Sequence, residues 1–407
     1  MVMSLDVAVI ADDLTGAADC GVQFVRAGYR TAVIFFDGET LSVPGEVDAV
    51  VVDTDSRSLD AGSARERVLA AGEALKDARI FYKKLDSTLR GPIAAELGAA
   101  LEAGDRLRAV VAPAFPEAGR TTRSGVQLVR GEPVHHTELA GDPNTPVTEG
   151  HIPSLLDGLG PVAVLSVGDL GDEAALRAAL EGTWIVADAE TDAHLNTLVR
   201  SVSDPSEVLW AGSAGLALAL GNTYPGPNSG EPRGRPSVAS HALVVIGSVS
   251  EVSREQLRRL ETEPDITAVP LDSRLFVEEP GRASGDVFEA AREALETGSS
   301  VALYSTAERA AGAADRISGG LADVVAGLSG AGLVRALVLT GGDTAVRIAR
   351  GLGARGILIE DELEAGVPVG TLIGPNPYPV ITKAGGFGAH ETLLHALRVL
   401  TRGGERP

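Results

Sequence analysis

Short apolar runs of four or five residues recur along the chain, each followed by a polar cluster and often by an Ala-rich stretch of helical period. Val7–Ala11, Thr31–Phe36, Ala49–Asp53, Ile80–Lys83 and Ala109–Pro113 read as strands, with helices over Ser63–Lys76 and Ile93–Ala103. Val162–Ser166, Trp184–Asp188 and Val208–Ala211 extend the series. Continuous apolar runs mark strands covered on both faces, and strand–helix repetition marks βαβ units in a parallel sheet.

The pattern breaks at Gly221–His241, "GNTYPGPNSGEPRGRPSVASH", which is dense in Gly, Pro and Ser and has no periodic apolar positions. It restarts with Ala242–Ile246, a helix over Glu251–Leu260, and the runs Ser300–Tyr304, Ala336–Leu339 and Gly356–Ile359. At 407 residues the chain is long for one core. The expected fold class is α/β in two domains, each a mostly parallel sheet flanked by helices, with the active site in the interdomain cleft. The expected domains are 1–221 and 241–407, joined by a linker over 222–240. No internal repeat of 20–50 residues is visible.

Composition narrows the function. A net charge of −21 argues against nucleic acid and anionic membrane surfaces as partners, because both need a basic footprint. The single cysteine, Cys20, cannot close an intrachain disulfide and reads as a small core residue of a helix. The first residues carry no basic region, and no run approaches 18 apolar residues, so the expectation is a soluble, cytoplasmic protein. Of the 35 basic residues only four are lysine: Lys76, Lys83, Lys84 and Lys383. A compact ammonium and a planar guanidinium are not interchangeable at a site, so these positions merit scrutiny.

In open parallel sheets, ligands bind beyond the carboxyl ends of the strands. After the first strand come Asp12 and Asp13, with Thr15 and Gly16; after the third comes "TDSRS", with Asp55 and Arg57. After the fourth, "KLDSTLRG" packs Lys84, Asp86, Ser87, Thr88 and Arg90 together, and after the fifth comes "AFPEAGRTTRSG". Alone, each could be a helix N-cap or a solvated surface. Together, four clusters at successive strand ends predict one convergent site. Carboxylates accept hydrogen bonds from hydroxyls, while Lys84, Arg90 and helix-start N–H groups attract an anion. A ligand with several hydroxyls and one carboxylate, a sugar acid, would satisfy both.

The second domain offers glycine turns instead. "VVIGSVSEVS" places Gly247 and Ser248 between a strand and a helix, and "LVLTGGDTAVRIAR" does the same with Gly341, Gly342, Asp343 and Thr344. "TKAGGFG" sets Lys383 beside Gly385, Gly386 and Gly388. Adjacent glycines let backbone N–H groups approach a phosphate at a helix start, so the set predicts a nucleotide-phosphate site. A P-loop spacing and a strand-linked dinucleotide fingerprint are both missing. The histidines His135, His136, His390 and His395 lack zinc-ligand spacing, and "AGSAG" at Ala211–Gly215 reads as another strand-to-helix turn.

Six motifs in order, "IADDLTGA", "KKLDSTLRG", "PAFPEAGRTT", "AGSAGLA", "LTGGDTA" and "TKAGGFG", make the chain resemble the four-carbon acid sugar kinases, from Val7 to about Leu397. Those are ATP-dependent kinases of threonate, erythronate or 3-oxo-tetronates. The resemblance implies a sugar-acid-binding N-terminal domain and an ATP-binding C-terminal domain. It aligns Asp12, Asp13, Arg57 and Lys84–Arg90 with substrate-binding positions. Ser248, Gly341–Thr344 and Gly385–Gly388 align with ATP-binding ones. Members often continue "DSTLRG" with Asn where this chain has Pro92, and several read "KSGNFG" where it reads "KAGGFG".

The implied reaction is transfer of the ATP γ-phosphate, with Mg²⁺ neutralising charge, to the terminal (C4) hydroxyl of the acid. Asp12 or Asp13 would take the hydroxyl proton, with Asp343 a rival; Lys84 and Arg90 would hold the substrate carboxylate, and Lys383 would meet phosphate. No dedicated metal-ligand set is expected, and assembly with further copies of the chain is compatible with this reading. The competing readings are a cytosolic sugar-acid-binding protein and a phosphatase working without ATP. The haloacid phosphatase chemistry needs D-x-D spacing, which the adjacent Asp12 and Asp13 do not provide.

Overall fold

The computed structural model describes residues 5–142, 144–179, 182–230, 237–306 and 314–403. The chain divides into two compact units, Met1–Glu231 and Pro232–Pro407. Within the stretch read as a linker, residues 222 and 223 continue a helix, and residues 231–236 lie outside the described residues.

The first unit is built on strands β1 (Val7–Ala11), β2 (Thr31–Phe35), β3 (Ala49–Asp53), β4 (Ile80–Lys84) and β5 (Arg108–Ala112). A short antiparallel set, β6 (Arg120–Arg123), β7 (Val126–Val129) and β8 (Glu132–Pro133), follows, and then β9 (Val162–Leu165), β10 (Trp184–Ala187) and β11 (Val208–Gly212). Its helices are α1 (Leu14–Arg26), α2 (Ala61–Glu73), α3 (Ile93–Ala103), α4 (Ile152–Leu155), α5 (Glu173–Ala179), α6 (Asp192–Ser201) and α7 (Ala214–Thr223). The main sheet runs β2-β3-β1-β4-β11-β5-β10-β9, parallel throughout. Val7, Ala8, Val9, Ile10 and Ala11 are all fully buried, as a strand covered on both faces requires. From β1 the chain crosses to one side for β2 and β3, then returns to the other side for β4. The loops after β1, β3 and β4 therefore open around one crevice, a topological switch point.

The second unit carries β12 (Leu243–Ile246), β13 (Ile266–Leu271), β14 (Ser300–Ser305), β15 (Leu337–Thr340), β16 (Gly356–Glu362), β17 (Pro368–Ile373) and β18 (Pro379–Lys383). Its helices are α8 (Glu251–Leu260), α9 (Ser273–Glu278), α10 (Pro280–Glu296), α11 (Ala314–Gly330), α12 (Gly342–Gly351) and α13 (Thr392–Arg402). Strands β13-β14-β12-β15-β18 are parallel, β17 adds antiparallel to β18, and β16 adds antiparallel to β17. Here too a switch point falls beside β12, where the chain goes one way to β13 and the other way to β15.

Strands β17 and β18 escape the apolar-run reading because Gly and Pro punctuate "VPVGTLIGPNPYPVITK". Proline is tolerated at a strand's first position, and Pro368 and Pro379 occupy that position. Gly370 is a close-approach position, since a Cβ there would overlap the Leu358 carbonyl of the neighbouring strand.

Candidate functional site

In the first unit, β1 ends in two carboxylates with different surroundings. Asp12 is buried, whereas Asp13 keeps 26% of its side chain exposed. Asp13 is also the N-cap of α1: its backbone is extended, and Oδ1 accepts from Gly16 N at 2.8 Å. The N-cap and binding readings of this motif therefore describe the same side chain.

Arg57, in the loop after β3, joins the two carboxylates. Its Nε donates to Asp12 Oδ2 at 2.6 Å and Nη1 donates to Asp13 Oδ2 at 2.6 Å. Nη2 donates to Asp12 Oδ1 at 3.1 Å and Asp13 Oδ1 at 2.7 Å. One guanidinium thus serves two carboxylates, a geometry its planar fork allows and an ammonium could not supply. Burial works against both carboxylate charges. At Asp12 it is outweighed by Arg57, Lys83 and Lys84, and the acid is held below its usual range. At Asp13 burial prevails, reinforced by the charge of Asp12, and its pKa moves upward despite Arg57.

The "KKLDSTLRG" turn follows β4. Lys84 is buried, and its Nζ donates to Leu85 O at 2.7 Å. A Cβ on Gly16 would fall 2.7 Å from Asp13 Oδ1 and 3.0 Å from Lys84 Nζ, so the bare glycine lets this carboxylate and this ammonium flank the start of α1. Asp86 is tied within its own turn, accepting from Thr88 Oγ1 at 2.5 Å and Arg90 Nε at 2.6 Å. Burial opposes its charge, but Arg57 and Arg90 hold its carboxyl well below the ordinary range. Ser87 is half-buried, and its carbonyl accepts from Gln127 Nε2 at 2.7 Å.

Two expected members of the convergence fall elsewhere. The Asp55 side chain is 61% exposed, on a left-handed backbone (φ 48°), with its carboxylate turned toward Arg67. The segment after β5 forms the β6–β7 hairpin: Arg123 pairs with Glu190 at 2.7 Å and Arg120 bonds Ala118 O. Strand β11 inserts between β4 and β5 and moves that strand end one place away. From this hairpin Gln127 reaches back, to Ser87.

Asp53, the last residue of β3, had no sequence signal beyond its place at a strand end. It is buried, and its Oδ1 accepts from Asp55 N at 3.0 Å. Burial, with the charge of Asp13 adding, pushes its carboxyl up to about 8.

In the second unit, the three glycine turns meet at the ends of β12, β15 and β18. Gly247 N donates to Thr340 O at 3.2 Å, and Gly341 N to Lys383 O at 2.9 Å. Gly341 has φ +90° and opens α12 with no side-chain cap. That leaves first-turn N–H groups for an incoming anion. A Cβ on Gly247 would overlap the Thr344 side chain, and one on Gly385 would overlap Ser248. Gly385 O accepts from Ser250 Oγ at 2.6 Å and Ser253 Oγ at 2.7 Å, and Gln256 Nε2 donates to Ala389 O at 2.7 Å. Ser250, the N-cap of α8, and Ser253 and Gln256 within it lock the "KAGGFG" loop, and the two serines lie in the "VVIGSVSEVS" turn.

Lys383 is buried with its ammonium only loosely held: Nζ lies 3.4 Å from Gly385 O, which already accepts two stronger bonds. Burial, against the partial support of Glu364, brings its ammonium down to about 8. Asp343 is exposed on the first turn of α12 beside the half-buried Gly342. Thr344 is buried, with Oγ1 3.1 Å from Ser318 Oγ. Gly386 and Gly388 lie exposed at the loop tip, Gly388 at φ +85°. Among the described residues, no group of three or more His, Cys, Asp or Glu side chains is placed to hold a metal ion, and no helix is long and apolar enough to cross a membrane.

Comparison with known proteins gives these two sites a context. Residues 7–220 match a family described as a sugar-binding N-terminal domain, and residues 243–393 one described as a nucleotide-binding C-terminal domain. A protein of Bordetella bronchiseptica named D-threonate kinase is 37% identical over 97% of both chains. A D-threonate kinase of Salmonella typhimurium is 36% identical over 96% of this chain and 97% of that one. A crystal structure from Salmonella typhimurium LT2, described as a putative tRNA synthase, aligns with a TM-score of 0.84 at 26% identity, over 97% of this chain and 99% of that one. Matched in both halves and related to these kinases along nearly its whole length, the chain belongs to the four-carbon acid sugar kinase family and is an ATP-using sugar-acid kinase.

Proposed function

We propose that this kinase transfers the ATP γ-phosphate to the terminal C4 hydroxyl of D-threonate, with residues 1–221 holding the acid and residues 241–407 the nucleotide. The observation that carries the reading is the placement of Asp13 and Lys84 about Gly16 at the start of α1. An acceptor carboxylate and a buried, sparsely bonded ammonium flank one glycine there. A hydroxy acid presents the complementary pair, a hydroxyl to the carboxylate and a carboxylate to the ammonium. The names of the two kinase relatives support D-threonate among the four-carbon acids.

Asp13 is the general base in this reading, because it faces solvent and its acid strength is shifted toward proton acceptance. Asp12, buried and stabilised as a carboxylate, orients Arg57. Lys84 and Arg90 hold the substrate carboxylate; Arg57, Asp86, Ser87 and Thr88 shape the pocket around it. Ser248, the Gly341–Thr344 turn, Lys383 and the Gly385–Gly388 loop take the nucleotide phosphates, the charge of Lys383 completed by phosphate oxygen. Mg²⁺ is usually bound through one or two carboxylates together with substrate phosphates. Asp343, exposed beside Gly341 and Gly342, is the carboxylate that fits this role. The ion would neutralise charge on the transferred phosphoryl group.

The test is ADP release measured with D-threonate, L-threonate, D-erythronate and 3-oxo-tetronates, and ³¹P–¹H correlation on the product to locate the phosphate. Turnover confined to another acid overturns the substrate, attachment away from C4 overturns the position, and no turnover on any of them overturns the reading.

A further inference from the structure

Lys83, one of only four lysines, has no role assigned above beyond its charge on Asp12, yet it is fully buried among charged and polar groups. Its Nζ lies 3.0 Å from Glu96 Oε2 of α3 and donates to Lys84 O at 2.9 Å. Glu96 Oε1 in turn accepts from Ser56 Oγ. Ser56 Oγ is 2.8 Å from Thr54 Oγ1, which donates to Ala11 O at 2.7 Å. Ser56 N and Arg57 N donate to Asp12 O at 2.9 and 3.2 Å. Lys83, Glu96, Ser56 and Thr54 are each at most 1% exposed. One buried network therefore ties together the ends of β1, β3 and β4.

A buried ion pair adds little net stability, because desolvating two charges offsets most of their attraction. Its best-attested use is to fix one arrangement among several. What this pair can fix is the 54–57 loop, and Arg57 is the residue that loop presents to Asp12 and Asp13.

We infer that Lys83, Glu96 and Ser56 are positioning residues, a buried brace that holds the Arg57 loop against β1 and so sets affinity for the acceptor. None of the three touches substrate in this reading. Their effect passes through the backbone of Ser56 and Arg57. The kinetic consequence rests on the proposed acceptor site; the effect on the loop does not.

Removing Lys83 or Glu96 alone strands the opposite charge and is expected to unfold the unit, so the decisive variant is Ser56→Ala, which leaves the pair intact. Hydrogen exchange of segment 54–59 should accelerate about tenfold while the α3 segment 93–103 stays protected, because local opening reports the contacts that close it. The KM for D-threonate should rise roughly tenfold with the KM for ATP within about twofold, the signature of lost acceptor positioning. Unchanged exchange at 54–59 overturns the brace, and so does an equal rise in both KM values. If the wild-type protein turns over no four-carbon acid, the substrate reading fails while the exchange measurement still decides the brace.

Discussion

Arg57 Nη1 lies 2.6 Å from Asp13 Oδ2, and the same guanidinium reaches Asp12 through Nε at 2.6 Å. Adjacent residues in the sequence nevertheless have opposite tendencies, because burial and the charge of Asp12 outweigh Arg57 at Asp13. Asp12 is buried and held ionised, while Asp13 is partly open and inclined toward the proton.

That division predicts different failures. Asp13→Asn should lower kcat by about 10²-fold or more while changing the acceptor KM little, as expected when a general base is lost. In the wild-type enzyme kcat should fall as pH drops through the raised Asp13 value, since the protonated form cannot accept. Asp12→Asn should mainly raise the acceptor KM, because Arg57 loses its buried partner. Steady-state kinetics over a pH series check all three, and an unchanged kcat in Asp13→Asn removes it as the base.

Lys383 gives a nucleotide-side pH dependence. Its ammonium titrates near 8 rather than 10.5, so the phosphate-binding cation is lost as pH rises past 8. The KM for ATP should climb between pH 7.5 and 9.5 in the wild type and be high and pH-flat in Lys383→Met. The stability linkage has the opposite sign. Between about 8 and 10.5 the unfolded chain binds the extra proton, so the nucleotide-free protein gains stability as pH rises through that window. Thermal melts with and without ATP separate the two effects.

Asp53 is expected to cost stability. With its carboxyl pushed up to about 8, the folded state resists an ionisation that the unfolded state accepts near 3.8, and the penalty grows as pH rises between those values. Asp53→Asn keeps an acceptor for Asp55 N and removes the charge. Its Tm should exceed wild type by about 2–5 °C near pH 8, converting a stability gain by the usual entropy of unfolding. The gain should shrink toward pH 4, and a constant offset would contradict this account.

Gly16→Ala isolates the placement of Asp13 and Lys84. Alanine favours a helix over glycine by about 1 kcal/mol, so propensity alone would stabilise α1. The added Cβ would press on Asp13 Oδ1 and Lys84 Nζ, at 2.7 and 3.0 Å. The acceptor KM should rise roughly tenfold through Lys84 and kcat should fall through Asp13, without a matching loss of Tm, because the misplaced groups serve the substrate rather than fold the chain. Kinetics and melting on the same preparation check it.

Much of the architecture was legible in the chain. Continuous apolar runs such as Val7–Ala11 and Leu243–Ile246 marked buried parallel strands, and the glycine turns marked helix starts after strands. Strands β17 and β18 were not legible, because their glycine and prolines are turn signals unless a neighbouring strand supplies the pairing. Asp55 and Arg57 looked equivalent in "TDSRS", yet one turns out to solvent and the other is clamped by two carboxylates. Ser56 gave no signal, although its hydroxyl joins the Arg57 loop to Glu96, forty residues on.

The sequence by itself determined the strands written as continuous apolar runs, the polar clusters at their ends, and the family to which their order belongs. Those follow from local periodicity and from the rule that parallel strands deliver their loops to one edge. Only the tertiary structure decided which charges neutralise one another. Arg57 reads in the chain as one of the substrate-binding positions the resemblance implies, and in the fold it is the partner of Asp12 and Asp13. Charge pairing depends on distance and burial across the strand order β3-β1-β4, and neither is encoded in the spacing of residues along the chain.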